Sequence, residues 1–195
     1  MLARVSNIEE WRKWRSDEDA TPADLVARLA SFQPTEAMLA GTAFHKALEN
    51  AIPGEYSVLE ANGYTFRLED DAEIYLPTVR ELRCFGSYGP LRVTGQVDCL
   101  HGTRVEDHKT TAYLNAERYL EGCQWRFYLD IFGADVFRWN VFEIKPVRGE
   151  ELTYTVGAPH TLEQHRYPGL HDDCMSLAAG FYDFATKHMP QQEAA

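Results

Sequence analysis

The stretch from residue 55 to 110 constrains this chain most. It holds β-rich runs, Tyr56 to Glu60, Tyr64 to Leu68, Val79 to Phe85, Leu91 to Leu100 and Arg104 to Thr110. They are cut by the turn-forming pairs Asn62-Gly63, Gly89-Pro90 and Gly102-Thr103. Runs joined this tightly predict a meandering, largely antiparallel sheet. Helical periodicity brackets it. About Thr35 to Ala51 carries Phe44, Leu48 and Ala51 at helical spacing and stops at Pro53-Gly54. A helical stretch from about Asn115 to Phe132 follows the sheet, then strands near Val136 to Ile144 and Leu152 to Val156, and a last helix near Leu170 to His188. That order predicts a mixed α/β fold in which helices flank a central sheet.

The 195 residues suit one domain: a helical N-terminal arm over 1–34, a core over 35–190 and a short polar tail over 191–195. In the arm, residues 8 to 15 read as a helix with Trp11 and Trp14 on one face, and Thr21-Pro22-Ala23-Asp24 reads as a cap opening a second. With Arg12, Lys13 and Arg15 beside the tryptophans, the arm is either a packed amphipathic helix or a grip for nucleic acid. The net charge of −11 leaves no overall field to draw the chain onto nucleic acid, so any such contact must be local. Cys84, Cys99, Cys123 and Cys174 lack the CxxC spacing of a zinc site and read as buried free thiols. No apolar run reaches the roughly 20 residues of a membrane span, and the N-terminus lacks a signal-peptide apolar region, so a cytoplasmic location is expected.

Chemistry concentrates between Gly95 and Lys109. If Gly102 and Thr103 are the central residues of a type II′ hairpin turn, residue 101 faces 104 and Asp98 faces Asp107. Opposed residues have Cβ atoms roughly 5 Å apart, close enough for two carboxylates to share one divalent cation, and Lys109 points to the same face. Such carboxylates resist ionising together unless a cation compensates them. An acid two residues before a lysine is weak by itself, because 30 acids and 5 lysines in 195 positions make about one such pair expected by chance. A second, Glu143-Ile144-Lys145, is present. Its upstream acid, Asp135, lies on the same unbroken strand some 26 Å away at about 3.3 Å per residue, too far to share an ion.

Four segments in order resemble the motif set of RecB-like PD-(D/E)XK nucleases. They are Gly41-Thr42-Ala43-Phe44-His45-Lys46-Ala47-Leu48-Glu49 for a helical GxxxHxxLE, Gly95-Gln96-Val97-Asp98 for a GxxD strand, Asp107-His108-Lys109-Thr110 for a DxKT strand, and Gln124 to Tyr128 for a helical QxxxY. The resemblance implies a restriction-endonuclease-like core. It further implies that His45, Asp98, Asp107 and the His108 carbonyl bind Mg²⁺ or Mn²⁺, that Lys109 positions the attacking water, and that Gln124 and Tyr128 border the site and touch substrate. Without it, Tyr128 would read as core and Gln124 as solvated; Glu49 is either a partner of His45 or a surface acid. Val97 stands where the superfamily has its name-giving proline. The cysteines do not match the iron–sulfur branch, and His101, His108, His160, His165, His171 and His188 match no role, so surface or capping positions are expected for their side chains.

What the resemblance implies is a metal-dependent DNA nuclease, an exonuclease in recombination, repair or phage DNA processing, acting on single strands or duplex ends, with a protein partner in recombination or replication. The rival readings are a non-cutting nucleic-acid- or protein-binding module that keeps the fold, and a structure-specific endonuclease.

Overall fold

The computed structural model describes residues 1–31, 33–52, 57–70, 72, 74, 76 and 79–189; the Pro53-Gly54 helix stop, Tyr56 and the 191–195 tail lie outside these. In chain order the elements are β1 (Leu2–Arg4), α1 (Val5–Arg15), α2 (Pro22–Ala30), α3 (Glu36–Asn50), β2 (Val58–Ala61), β3 (Tyr64–Leu68), β4 (Val79–Tyr88), β5 (Leu91–His101), β6 (Arg104–Thr111), α4 (Ala116–Leu120), α5 (Gln124–Phe132), β7 (Val136–Pro146), β8 (Thr153–Val156), β9 (His160–His165) and α6 (Leu170–His188). The expected mixed α/β architecture is present. Among the described residues nine strands join in the order β1-β5-β6-β7-β8-β3-β2, with β4 added on β5 and β9 on β7. The β1–β5, β3–β8 and β6–β7 pairs are parallel and the others antiparallel.

The pairing of β5 prepares the site. β4 runs along the length of β5, while β1 takes its other edge at 92–94 and β6 takes that edge at 99–101. Among the described residues, 95–98 therefore have no partner strand on that edge. The β5–β6 hairpin has the predicted register, His101 opposite Arg104, with Gly102 at φ +58 and no positive φ at Thr103, the sign pattern of a type II′ turn.

Strand β7 separates two cores by alternation. Phe137, Trp139 and Val141 pack with Ile8, Trp11, Val93, Val97, Phe127 and Phe181 on the face covered by α1, α5 and α6. Phe142 and Ile144 pack with Ala43, Phe44, Leu48, Phe66 and Val156 on the face covered by α3.

The N-terminal arm is built into the first core. Ile8 and Leu25 are fully buried, Trp11 lies edge-on to Phe181, and Trp14 donates its indole N–H to the carbonyls of Ala20 and Thr21 at 3.0 and 2.9 Å. Arg12 and Lys13 pair with Glu9 and Glu10. The tryptophans thus follow the packing reading of the arm. The Thr21 cap forms as expected, its hydroxyl accepting from the Asp24 N–H while Asp24 accepts from the Thr21 N–H.

Three differences from expectation have physical causes. The single helix expected over 115–132 is two, α4 and α5. They break at Gly122 and Cys123, where Glu9 accepts the Cys123 N–H at 2.6 Å in place of a helical carbonyl. Strand β1 is too short for periodicity to reveal, and β9, His-Thr-Leu-Glu-Gln-His, is a polar edge strand without an apolar stripe.

Candidate active site

The strands and helices that carry the motif residues meet where β5 lacks its second partner. From α3, His45 places Nδ1 3.3 Å from Asp98 Oδ2 on β5. On β6, Lys109 Nζ stands 2.6 Å from Asp107 Oδ2, two residues away on one strand face. The backbone N–H of His108 donates to Asp98 Oδ2 at 2.6 Å, which fixes that carboxylate against β6 just past the last paired residues, Cys99 and Glu106. On α5, Gln124 Nε2 donates to the Tyr128 hydroxyl at 3.2 Å, and Tyr128 donates to the Gln96 carbonyl, in the unpaired part of β5, at 3.0 Å.

Two motif glycines have a steric reason. A Cβ at Gly41 would meet Thr110 Oγ1 at 2.8 Å, so its absence lets α3 lie against β6; His45 follows one turn later on the same helix face. A Cβ at Gly95 would meet the Tyr128 ring at 2.3 Å, so its absence seats the tyrosine over β5. Arg80 on β4 fixes the far end of α3 by donating to the carbonyls of Leu48 and Ala51 at 2.8 and 3.1 Å. The Leu48 carbonyl also accepts the Ala51 N–H, so Arg80 reinforces the C-terminal end of the helix.

The four ionisable groups perturb one another. Burial alone would raise the Asp98 carboxyl, but the hydrogen bond and charge of His45, with the charge of Lys109, outweigh it and hold Asp98 well below the ordinary carboxylate range. Burial would likewise strip the His45 proton, and Asp98 overcomes this and moves the imidazole up. Asp107, 3% exposed, is raised by burial and by the Asp98 charge against the pull of Lys109. Lys109 is held charged, the carboxylates of Asp107 and Asp98 outweighing its burial.

Buried Asp107 Oδ2 lies 2.6 Å from the Lys109 ammonium in an ion pair without good hydrogen-bond geometry, so a protein cation already meets its charge. Two carboxylates and an imidazole are donors that suit Mg²⁺ or Mn²⁺. Among the described residues, however, no three His, Cys, Asp or Glu side chains converge as a ready-made chelate. The arrangement is two charge-balanced pairs, His45 with Asp98 and Lys109 with Asp107, in which protein cations neutralise the carboxylates. The donor chemistry fits a divalent ion, which would take over that neutralisation.

Several expectations are refined. The His108 side chain is not at the surface: it is 2% exposed, its Nε2 3.4 Å from Cys99 Sγ and its Nδ1 3.4 Å from Asn140 Nδ2, and burial pulls its imidazole down to about 4. Glu49 pairs with Lys46 at 2.7 Å, and it lines a recess of about 10 Å³, room for roughly one water, with His45, Glu81, Asp98 and His108. Lys145 of the second acid–lysine pair is exposed and Glu143 accepts the Leu114 N–H at 3.1 Å, so that pair builds no site.

Two residues at the site escape sequence reasoning. Gln96 bridges it, donating from Nε2 to Glu81 at 2.5 Å, accepting from Arg83 at Oε1 and from Tyr128 at its carbonyl. Glu81 holds φ +54 inside β4, a left-handed conformation that costs a non-glycine residue about 1–3 kcal/mol. It falls where the β4–β5 register passes from Leu82↔Val97 to Arg80↔Cys99, opposite Asp98. Here β5 changes its facing: Val97 belongs to the first core, while Cys99 touches His108, whose ring lies against Phe142 of the second. Nothing in the composition of β4 signals a left-handed glutamate.

No protein-family model matches the chain, and no curated protein is similar to it in sequence. Among solved structures it is similar to a protein designated SSO0001, at 14% identity over 97% of this chain and 78% of that one, with a TM-score of 0.51. It is also similar to a protein of Eubacterium rectale provisionally named an exonuclease, at 10% identity over 93% and 79% of the two chains, with a TM-score of 0.53. At these identities the likeness is one of fold, and it extends over nearly the whole chain.

Proposed function

We propose that this chain is a divalent-metal-dependent DNA nuclease of the RecB-like PD-(D/E)XK kind, an exonuclease of recombination, repair or phage DNA processing. One observation carries the reading. Asp98, Asp107, Lys109 and His45, drawn from three elements, meet at the gap in β5, with Asp107 buried and its charge met by Lys109 at 2.6 Å. A binding module needs no such grouping, because burying two carboxylates together costs stability unless the grouping has a task. The fold it shares with a protein provisionally named an exonuclease is in keeping with this.

His45, Asp98, Asp107 and the His108 carbonyl would hold Mg²⁺ or Mn²⁺. Bound there, the ion supplies Lewis acidity and neutralises charge on the phosphate. The chain's own residues do the rest. Lys109, kept charged by two carboxylates, orients a water molecule for attack on phosphorus and adds positive charge as negative charge grows in the transition state. Asp98, held ionised by His45 and by the His108 N–H, keeps its negative charge at neutral pH. Tyr128, tied to the Gln96 carbonyl, and Gln124 border the site and touch substrate. The protein's net charge of −11 makes a partner with a basic surface, in recombination or replication, part of the proposal.

The test is cleavage of end-labelled linear and circular DNA, single- and double-stranded, with Mn²⁺, Mg²⁺ or EDTA. Metal-dependent loss of linear substrate alone is the expected result. Cutting of circles would replace exonuclease with endonuclease, and intact DNA in every metal-containing reaction would refute the nuclease reading.

A further inference from the structure

The acidic protein carries a groove whose charge is reversed. About 510 Å³ of open space lies over β1, β4 and β5, lined by Leu2, Arg4, Leu29, Arg83, Phe85 and Thr94 among others, with no carboxylate in its lining. Leu2 is 61% and Phe85 47% exposed, which leaves both side chains open to the groove. The Arg92 guanidinium stacks 4.4 Å from the centre of the Phe85 ring. Arg12, Arg67, Arg104, Arg138 and Arg166 are each paired with a carboxylate. Among the described residues Arg4, Arg83 and Arg92 form no such ion pair, so their charge is free for an external anion.

Register links the groove to the candidate active site. Arg4, Thr94 and Phe85 form one cross-strand row, Leu2, Arg92 and Ser87 a second, and Gln96 and Arg83 a third. Arg92, Thr94 and Gln96 alternate on the face of β5 opposite the buried Leu91, Val93 and Val97. From Arg92 to Asp98 is six residues, about 20 Å of strand at 3.3 Å each. Arg83 hydrogen-bonds Gln96, whose carbonyl accepts from Tyr128, so the groove ends beside the site.

Resting on the nuclease reading, we propose that this groove is the path by which a single strand of DNA reaches the site, with Phe85 as its stacking platform and Arg4, Arg83 and Arg92 as its phosphate contacts. One exposed aromatic ring, with Arg92 on one of its faces, set among cations without a carboxylate partner suits a single strand, since every base offers a π-face and every linkage a charge. Duplex DNA cannot present a base to Phe85 without unpairing it.

Binding is measured by fluorescence anisotropy with a labelled single-stranded oligothymidine and a hairpin duplex, in EDTA so that no cleavage intervenes. Phe85→Ala should weaken single-strand binding roughly five- to 150-fold, the worth of one stacked base, while Phe85→Tyr should bind as wild type does. Arg4→Glu/Arg92→Glu should weaken it and flatten the dependence of log K on log salt by roughly 1.4, for two lost phosphate contacts. Thermal unfolding confirms that each variant is folded. Wild-type affinity in a folded Phe85→Ala protein, or a protein that binds only the duplex, overturns the path. So does a change from dimer to monomer in Phe85→Ala, which would make this face a contact between two copies of the chain. Cleavage with Mn²⁺ is scored separately. Intact cutting with unaffected binding in the variants removes only the path, whereas groove-dependent binding without any cutting keeps the path and removes the nuclease reading.

Discussion

Tyr128 hydrogen-bonds the Gln96 carbonyl at 3.0 Å, and its ring occupies the space that a side chain at residue 95 would need. The two facts are coupled, because the ring that carries this hydroxyl passes directly over residue 95. Gly95→Ala should therefore displace Tyr128 and destabilise the fold by about 1–3 kcal/mol, the cost of overpacking a close contact. Thermal unfolding of Gly95→Ala, Tyr128→Leu and the double variant measures the coupling. A double variant less destabilised than the sum of the singles is the expected result, and strict additivity would deny the contact.

Glu9 joins α1 to the start of α5 and should give stability a pH signature. Burial raises its carboxyl, but hydrogen bonds from Arg12 and from Cys123 outweigh that and leave it below its ordinary value. A group depressed in the folded state contributes stability that is fully present above its unfolded value, about 4.3, and is lost as pH falls through the folded value. Wild type should thus lose stability faster than Glu9→Gln on acidification below about pH 5. Parallel losses in urea unfolding across that window would show that Glu9 gains nothing from its charge.

Much of the site was legible because hairpin geometry is local. Gly102-Thr103 sets the register from His101↔Arg104 to Cys99↔Glu106, which brings Asp98 and Asp107 to the end of the paired stretch without pairing them, and period-2 alternation adds Lys109. The helix with His45 follows from the 3.6-residue spacing of Phe44, Leu48 and Ala51, whereas the close approach of Gly41 to Thr110 appears only in the fold. What was not legible depends on distant partners. A three-residue strand such as β1 exists only because β5 has a free edge, and His108 is buried because Cys99 and Asn140 offer its ring polar neighbours. Glu81 is held in its left-handed state by the sheet around it, against its own preference.

Divalent metal should stabilise the protein. An ion that binds only the folded state contributes RT ln(1 + [L]/Kd), about 2.7 kcal/mol at a hundredfold excess over Kd. Mn²⁺ should accordingly raise the melting temperature of wild type and leave Asp98→Asn/Asp107→Asn unmoved. The double variant should also lose its His45 and Lys109 ion pairs, so its response to metal, rather than its absolute melting temperature, is the diagnostic quantity. Equal shifts in both proteins would put any metal elsewhere.

Asp107 and Lys109 touch at 2.6 Å yet should fail differently when truncated. Asp107→Ala removes a proposed ligand and leaves Lys109 without its nearest counter-charge. Metal binding and hydrolysis should fall together, and raised Mn²⁺ should restore part of the rate. Lys109→Ala strands Asp107 instead, a buried carboxylate whose proton affinity burial already raises, so the metal-free protein should lose stability. Mn²⁺ should then recover more stability in Lys109→Ala than in wild type, because it replaces the missing charge and meets no resident ammonium. Turnover should nonetheless collapse, since water positioning and charge stabilisation act on the transition state; the rate constant falls while DNA affinity changes little. Calorimetric Mn²⁺ titration beside single-turnover cleavage separates the two roles. If Lys109 were only a surface cation, its loss would shift stability by less than about 0.5 kcal/mol. A Lys109→Ala protein that cuts DNA at near wild-type rate would remove the lysine from the mechanism and leave Asp98, Asp107 and His45 to account for it.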